Sequence, residues 1–305
     1  MGLSLYTMYR TNMSTVNPRS TGYGPALFRA IENLLPEDKR LFDDPYSQKL
    51  LSPYWKFWFS LTRLPRMLEF LLKLRERLTP GVIGGLTCRT RYIDDVLLDA
   101  IKEGCSAVVN LGAGMDSRAF RIPGIENIRY FELDFPEMLK DKKVYIDKNA
   151  GGLPANVTLV PIDFDSQDIG DELMKAGYSL STRTFFIWEG VTQYISREAV
   201  DNTIRYVAGS AAGSRIVFTY VLKSFIDGTA IPQGQERMYK YAIQKLSPLW
   251  SSGFDPAGMQ DYLSGFSLDL IEDVGSEEFL ERYFRPRNRD LSVFEIERTV
   301  LAEVK

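Results

Sequence analysis

The chain of 305 residues contains no histidine. The commonest general base and the commonest metal ligand are therefore missing. A zinc site would need cysteines and carboxylates alone, so no metal is expected. Cysteine is scarce as well. Cys88 and Cys105 cannot make a disulfide framework, and two free thiols fit a reducing compartment. No apolar run approaches the ~20 residues that cross a bilayer. The opening MGLSLYTMYRTNM lacks the apolar core of a signal peptide and has Tyr6 where myristoylation requires Ser or Thr. A cytoplasmic location is the resulting expectation. An excess of either charge is also absent: 37 Lys plus Arg stand against 40 Asp plus Glu, a net charge of −3. That gives no global attraction to nucleic acid or anionic membrane, and neither is expected as a partner.

What is present is an ordinary globular composition, 45% hydrophobic and 25% charged, long enough for one large α/β domain with a cap. Residues 1–22 are polar and read as a flexible arm. The apolar spacing of Ala26, Leu27, Ala30, Ile31 and Leu34 predicts a helix over Pro25–Leu35 that Pro36 ends. Trp55–Leu78 mixes aromatics and leucines with basic residues and reads as two amphipathic helices split at Pro65; a substrate lid or a packed helix pair is favoured over a membrane-surface element. Tyr92–Lys102 is helical by spacing, closed by Gly104. Five apolar runs follow as strands: Ala107–Leu111, Ile128–Phe135, Thr158–Phe164, Thr184–Trp188 and Arg215–Val221. Helical stretches at 136–149, 168–177 and 196–209 separate them. This alternation predicts a doubly wound, mostly parallel sheet. Beyond Val221 the regularity fades, with helices expected at 233–246, 256–263 and 276–283 and a closing strand at Phe294–Val304. One domain, 23–305, is expected, with cap segments 23–85 and 222–285 and a core of 86–221 plus 286–305.

Five motifs carry chemistry. In VVNLGAGMDSRAF an apolar strand runs into Gly112, Ala113 and Gly114 and then a helix; glycine there permits a tight turn and a ligand close to the backbone, and a helix N-terminus offers unpaired N–H groups. Ser117 replaces the third glycine of the dinucleotide fingerprint, which points from NAD toward an adenosine cofactor without a pyrophosphate. In YFELDFP, Glu132 and Asp134 lie 20 and 22 positions after Gly112, where an acid can bind ribose hydroxyls; alternation puts both on one side of the strand. Asp163, with the Phe164 amide, ends the third strand and can meet an adenine ring. Glu189 ends the fourth strand, where an ionised carboxylate needs a cation: the ammonium of S-adenosylmethionine (SAM), or a local arginine. In CRTRYIDD, Arg89 and Arg91 precede a helix, and arginine grips a carboxylate bidentately.

Taken in order, these motifs resemble the leucine carboxyl methyltransferase family, which includes bacterial and fungal small-molecule O-methyltransferases. The resemblance spans about 86–221, and more weakly 24–51, where RLFDDPYSQKLL matches. It implies a class I SAM-dependent, Rossmann-like fold with SAM as cofactor. It implies that Arg89 holds the methionyl carboxylate, that Gly112 and Gly114 line the cofactor, that Asp134 binds ribose, that Asp163 meets adenine, and that Glu189 meets the amino end. Arg29 is the nearest match to a basic residue that the family places near the carboxylate.

Methyl transfer from a sulfonium is an in-line displacement, which rewards orientation. A carboxylate acceptor, with a pKa of about 4, needs no base. Without histidine, a carboxylate or acidic hydroxyl of a small molecule or peptide is the expected acceptor, with Tyr194 and Tyr220 as candidate contacts. Two other readings remain open: an NAD-dependent oxidoreductase on the same sheet, and a non-catalytic interaction protein that keeps the fold. The sequence leaves the oligomeric state open.

Overall fold

The computed structural model describes residues 23–164, 166–244 and 249–305; the expected arm, 1–22, and the end of the expected 233–246 helix lie outside them. Seven strands form one sheet: β1 (Ala107–Leu111), β2 (Arg129–Asp134), β3 (Val157–Pro161), β4 (Thr184–Trp188), β5 (Arg215–Val221), β6 (Leu268–Val274) and β7 (Glu297–Val304). Their order is β3-β2-β1-β4-β5-β7-β6. The first five are parallel, and β7 runs antiparallel between β5 and β6.

β1, β4 and β5 have the bounds read from sequence. β3 stops three residues early, at Pro161, leaving Asp163 and Phe164 in the loop beyond it. β6 is a correction: Leu268–Val274 lies inside the expected cap segment 222–285 but forms the edge of the sheet. A register shift between Leu270 and Glu272 breaks its two-residue alternation, and an edge strand leaves Asp269 and Ile271 in solvent. The usual half-buried pattern is therefore scrambled.

Alternate residues of each central strand enter two apolar layers. Val109, Leu111, Leu133, Phe186, Trp188 and Phe218 face α6 (Ile169–Lys175) and α7 (Arg197–Ala208) through Leu173, Val200, Ile204 and Val207. Val108, Tyr130, Phe185, Ile187 and Val217 face α4 (Val82–Lys102) through Cys88, Tyr92, Ile93 and Leu97. α4 starts ten residues before the helix read from sequence. Gly84 and Gly85 mask that first part because they lower helix propensity. Packing requires them: a Cβ on Gly85 would lie 1.6 Å from the Phe294 ring, and one on Gly84 would lie 2.1 Å from the Ser292 carbonyl oxygen.

Before α4 come α1 (Tyr23–Glu32), α2 (Pro53–Thr62) and α3 (Pro65–Leu78). Pro65 sits in the first turn of α3, where its missing N–H costs nothing. Ala26, Ala30, Phe59 and Leu68 of these helices pack on Met115, beyond β1, and on Met138 of α5 (Pro136–Asn149). One further helix matters below: α8 (Glu236–Ala242).

Candidate cofactor and acceptor site

A cavity of about 460 Å³ opens over the C-terminal ends of β1 to β4 and the start of β7. This is the rim where helices leave for opposite faces of an open α/β sheet, the usual place for a ligand. Its size lies within the roughly 300–1,000 Å³ range of small-molecule sites. Arg89, Gly112, Gly114, Asp134, Asp163, Phe164, Glu189 and Tyr194 all line it.

The glycine turn follows from its backbone. Gly112 has φ +75° and Gly114 φ +46°, a region that favours glycine. A Cβ on Gly112 would meet Val191 at 2.4 Å. The amides of Gly112 and Ala113 donate to the Leu133 carbonyl at 2.8 and 2.9 Å, tying the turn to β2. Ala113 itself is buried and does not line the cavity. The helix expected after the glycines is one turn, Arg118–Arg121. Its first amide, Arg118 N–H, already donates to Asp116 at 2.8 Å.

Asp134 closes this turn. Its carboxylate accepts from the Gly114 amide at 2.6 Å and the Phe135 amide at 2.7 Å. Burial raises its pKa, and those two donors pull it back. Glu132, two residues earlier, does not reach the cavity. It is fully buried against Lys142 Nζ at 2.6 Å, and burial pushes its pKa up to about 7 against the pull of that cation.

Glu189 meets the local arginines of the alternative reading. Its Oε1 accepts from Arg89 Nε at 2.8 Å and its Oε2 from Arg118 Nη1 at 2.7 Å. Burial acts to raise its pKa, but the two guanidinium groups prevail and lower it to about 2. Arg89 Nη1 also donates to Glu297 at 2.7 Å. Arg118, 1% exposed, bonds Asp94 and Asp116 at 2.7 Å each, and Arg121 grips Asp94 with two bonds. Each buried charge here has a partner, as burial demands. Arg29 lies behind the glycine turn, donating to Asp44 and to the Met115 carbonyl, and does not line the cavity. Arg91 is bound to Asp95 and the Leu41 carbonyl.

Another part of the lining is apolar: Met238 of α8, Trp250, Phe294 and Ile296. Tyr194 packs edge-on against Trp250, centroids 6.2 Å apart, and Gln193 lies beside them. Tyr220 is a correction. It is fully buried, its hydroxyl donates to Asp273 of β6 at 2.7 Å, and it does not line the cavity. In β5 its side chain points into the layer that holds Phe218 and Phe254.

Sequence reasoning missed Arg118, Asp116, Glu297, Gln193, Met238 and Trp250. Arg118 had a signal, since Glu189 demanded a cation. Glu297 and Trp250 had none, because only the return of β7 and of the chain after β5 brings them to the rim. Among the described residues no group of three or more acids and cysteines could hold a metal, and no helix is long and apolar enough to cross a membrane.

The sequence model of the leucine carboxyl methyltransferase family matches residues 22–208. The chain belongs to that family. A relative from Mycolicibacterium gilvum, named provisionally as an S-adenosyl-L-methionine-dependent methyltransferase, is 32% identical over 275 residues, covering 86% of this chain and 85% of its own length. Two crystal structures share the fold. One is a DUF574-family protein from Streptomyces avermitilis, with a TM-score of 0.56 at 14% identity over 91% of this chain and 97% of its own. The other is a provisionally named methyltransferase from Thermobifida fusca, with a TM-score of 0.51 at 15% identity over 78% and 88%. The sheet of this family member is thus the class I, Rossmann-like methyltransferase fold.

Proposed function

We propose that this chain transfers the methyl group of S-adenosyl-L-methionine to a carboxylate or acidic hydroxyl oxygen of a small molecule or peptide. The coarser part stands by itself: the chain is a methyltransferase that uses S-adenosyl-L-methionine. The acceptor and the residue roles are the proposal. One observation carries it: of the thirteen candidate residues named from sequence, eight line one cavity at one rim of the sheet.

The site suits the cofactor. Gly112 and Gly114 leave the turn without side chains, and a Cβ on Gly112 would crowd Val191. In the proposal Asp134 accepts from the ribose hydroxyls, while Asp163 and the Phe164 amide meet adenine. The Arg89, Glu189 and Glu297 group carries both signs and so suits an ammonium and a carboxylate on one carbon. Arg89 would take the carboxylate and Glu189 the ammonium. When bound, the cofactor supplies an electrophilic methyl on sulfur. The protein's part is to fix the acceptor oxygen in line with it and keep water away. Tyr194, Trp250 and Met238 form the wall for that task. Segments 23–85 and 222–267 would act as the cap.

The oxygen acceptor is supported by the groups around it. No histidine exists, and Glu189 is held ionised by two arginines, which makes it a poor base. Glu297 is occupied by Arg89. An acceptor already ionised near neutral pH fits such a site. The test is a screen of carboxylic acids, phenols, amines and thiols with isotope-labelled methyl donor, read by mass spectrometry. Base-labile methyl esters or aryl ethers are expected; N- or S-methyl products would refute the oxygen assignment. Calorimetry with S-adenosylhomocysteine should show binding that Asp134→Asn weakens.

A further inference from the structure

The hairpin of α2 and α3 presents a second apolar face, turned away from the core. Phe59, Thr62 and Leu68 point inward and are buried. On the outer side, Tyr54, Phe57, Leu61 and Leu64 recur at helical spacing, and Met67, Phe70, Leu74 and Leu78 do so in α3. Phe57 is 61% exposed, Leu64 62% and Phe70 58%. Six of the eleven large apolar residues exposed among the described residues lie between 54 and 78. A patch of this kind on a folded surface marks a contact.

Its charge says with what. Residues 53–78 hold Lys56, Arg63, Arg66, Lys73, Arg75 and Arg77 against Glu69 and Glu76, a net +4 in a chain of net −3. A second copy of the same face would set +4 against +4, which like-charge repulsion opposes. Residues 1–22 carry Arg10 and Arg19 and no acid, so they do not complement the patch either. An anionic surface with an apolar interior complements both features.

We propose that the α2–α3 hairpin seats this protein on the surface of anionic lipid bilayers, with Phe57, Leu64 and Phe70 inserted at the headgroup boundary and Arg63, Arg66, Lys73 and Arg77 among the headgroups. Such seating is distinct from spanning: it needs a charged, amphipathic face rather than a long apolar helix. Thr79–Gly81 joins the hairpin directly to α4, whose Val82 and Leu86 line the cavity, so a seated hairpin holds the cavity close to the bilayer.

The test is co-sedimentation of the full chain with vesicles of phosphatidylcholine alone and of phosphatidylcholine mixed with phosphatidylglycerol. Binding is expected to the mixed vesicles only and to weaken with salt. Phe57→Ser with Phe70→Ser should lower it more than tenfold, and Arg66→Gln or Lys73→Gln about fivefold each. All these side chains are exposed, so thermal unfolding and S-adenosylhomocysteine binding should not change, which separates this proposal from the methyltransferase reading. Equal binding to both vesicles, binding to neither, a dimer in sedimentation velocity that Phe57→Ser dissolves, or capture of an acidic protein by this face in place of lipid would each overturn it.

Discussion

One part of the cavity lining is charged: Arg89, Glu189 and Glu297 line it and, with Arg118, which does not, are joined by ion pairs of 2.7–2.8 Å. Another part, Tyr194, Met238, Trp250 and Phe294, is apolar, with Tyr194 meeting Trp250 edge-on. The charged part is over-determined. Each buried ion there has a fixed partner, and removing one strands the others in a poorly solvating interior. The aromatic part depends on shape, and loss of one side chain leaves space rather than an unpaired charge. The first arrangement suits a ligand with fixed charges, and the second a varied apolar body. The same cavity therefore combines a demanding part with a permissive one.

The sharpest way to break this contrast is Arg118→Met. It leaves Asp94, Asp116 and Glu189 short of a buried cation. We expect a loss of about 3–5 kcal/mol in denaturant-induced unfolding, together with loss of S-adenosylhomocysteine binding. A loss under 1 kcal/mol would mean that the network adds little.

Acid titration probes the same charged part without mutation. The Glu189 carboxyl is held near 2 against an ordinary 4.5, and Arg118 holds Asp116 below its ordinary value despite burial. A folded-state value below the unfolded one stabilises above the unfolded value and is lost as pH falls through the folded one. Stability should therefore fall by about 2–4 kcal/mol between pH 4.5 and 2. Glu189→Gln should flatten that part of the curve.

Asp134→Asn tests the junction between turn and strand. The Gly114 and Phe135 amides donate to different carboxylate oxygens; asparagine replaces one of them with an NH2 group, which faces an N–H donor, and its neutral oxygen accepts from hydroxyls less strongly. Calorimetry should show cofactor affinity falling about 10–100-fold, with the fold retained.

In the aromatic part, Trp250→Ala should raise the acceptor KM about tenfold while the affinity for S-adenosylhomocysteine stays within twofold. If both moved together, the two parts would not be separable. The smallest effect is expected from Tyr220→Phe. Its hydroxyl bonds Asp273, which Arg298 also binds at 2.8 Å, so the cost should be about 1 kcal/mol in stability, with kcat and KM unchanged.

The contrast also explains how far the residues could be read without coordinates. Gly112, Gly114, Asp134 and Glu189 stand at or just past the ends of mostly apolar runs, and each run reveals where its strand stops. In a parallel sheet all such ends gather on one rim, so their meeting could be anticipated. Glu132 shows the limit of that reasoning. Alternation put it on the same side as Asp134, but strand depth keeps it inside, against Lys142. Tyr220 shows another. It lies near the end of a strand yet points into a filled layer and is bound by β6, a strand whose bulge and acidic residues conceal its periodicity. Trp250 and Met238 lie in the irregular region after β5, where no local pattern signals a destination.

The sequence by itself determined the alternation of strands and helices, the glycine turn and the acids at the strand ends, because each is encoded within a few neighbouring residues by periodicity and backbone freedom. Only the tertiary structure decided which acids reach the cavity, which arginines neutralise Glu189, and which aromatics line its apolar part. Those choices depend on side-chain depth and on the return of β7 and α8 to the rim, contacts between residues far apart in the chain that no local pattern records.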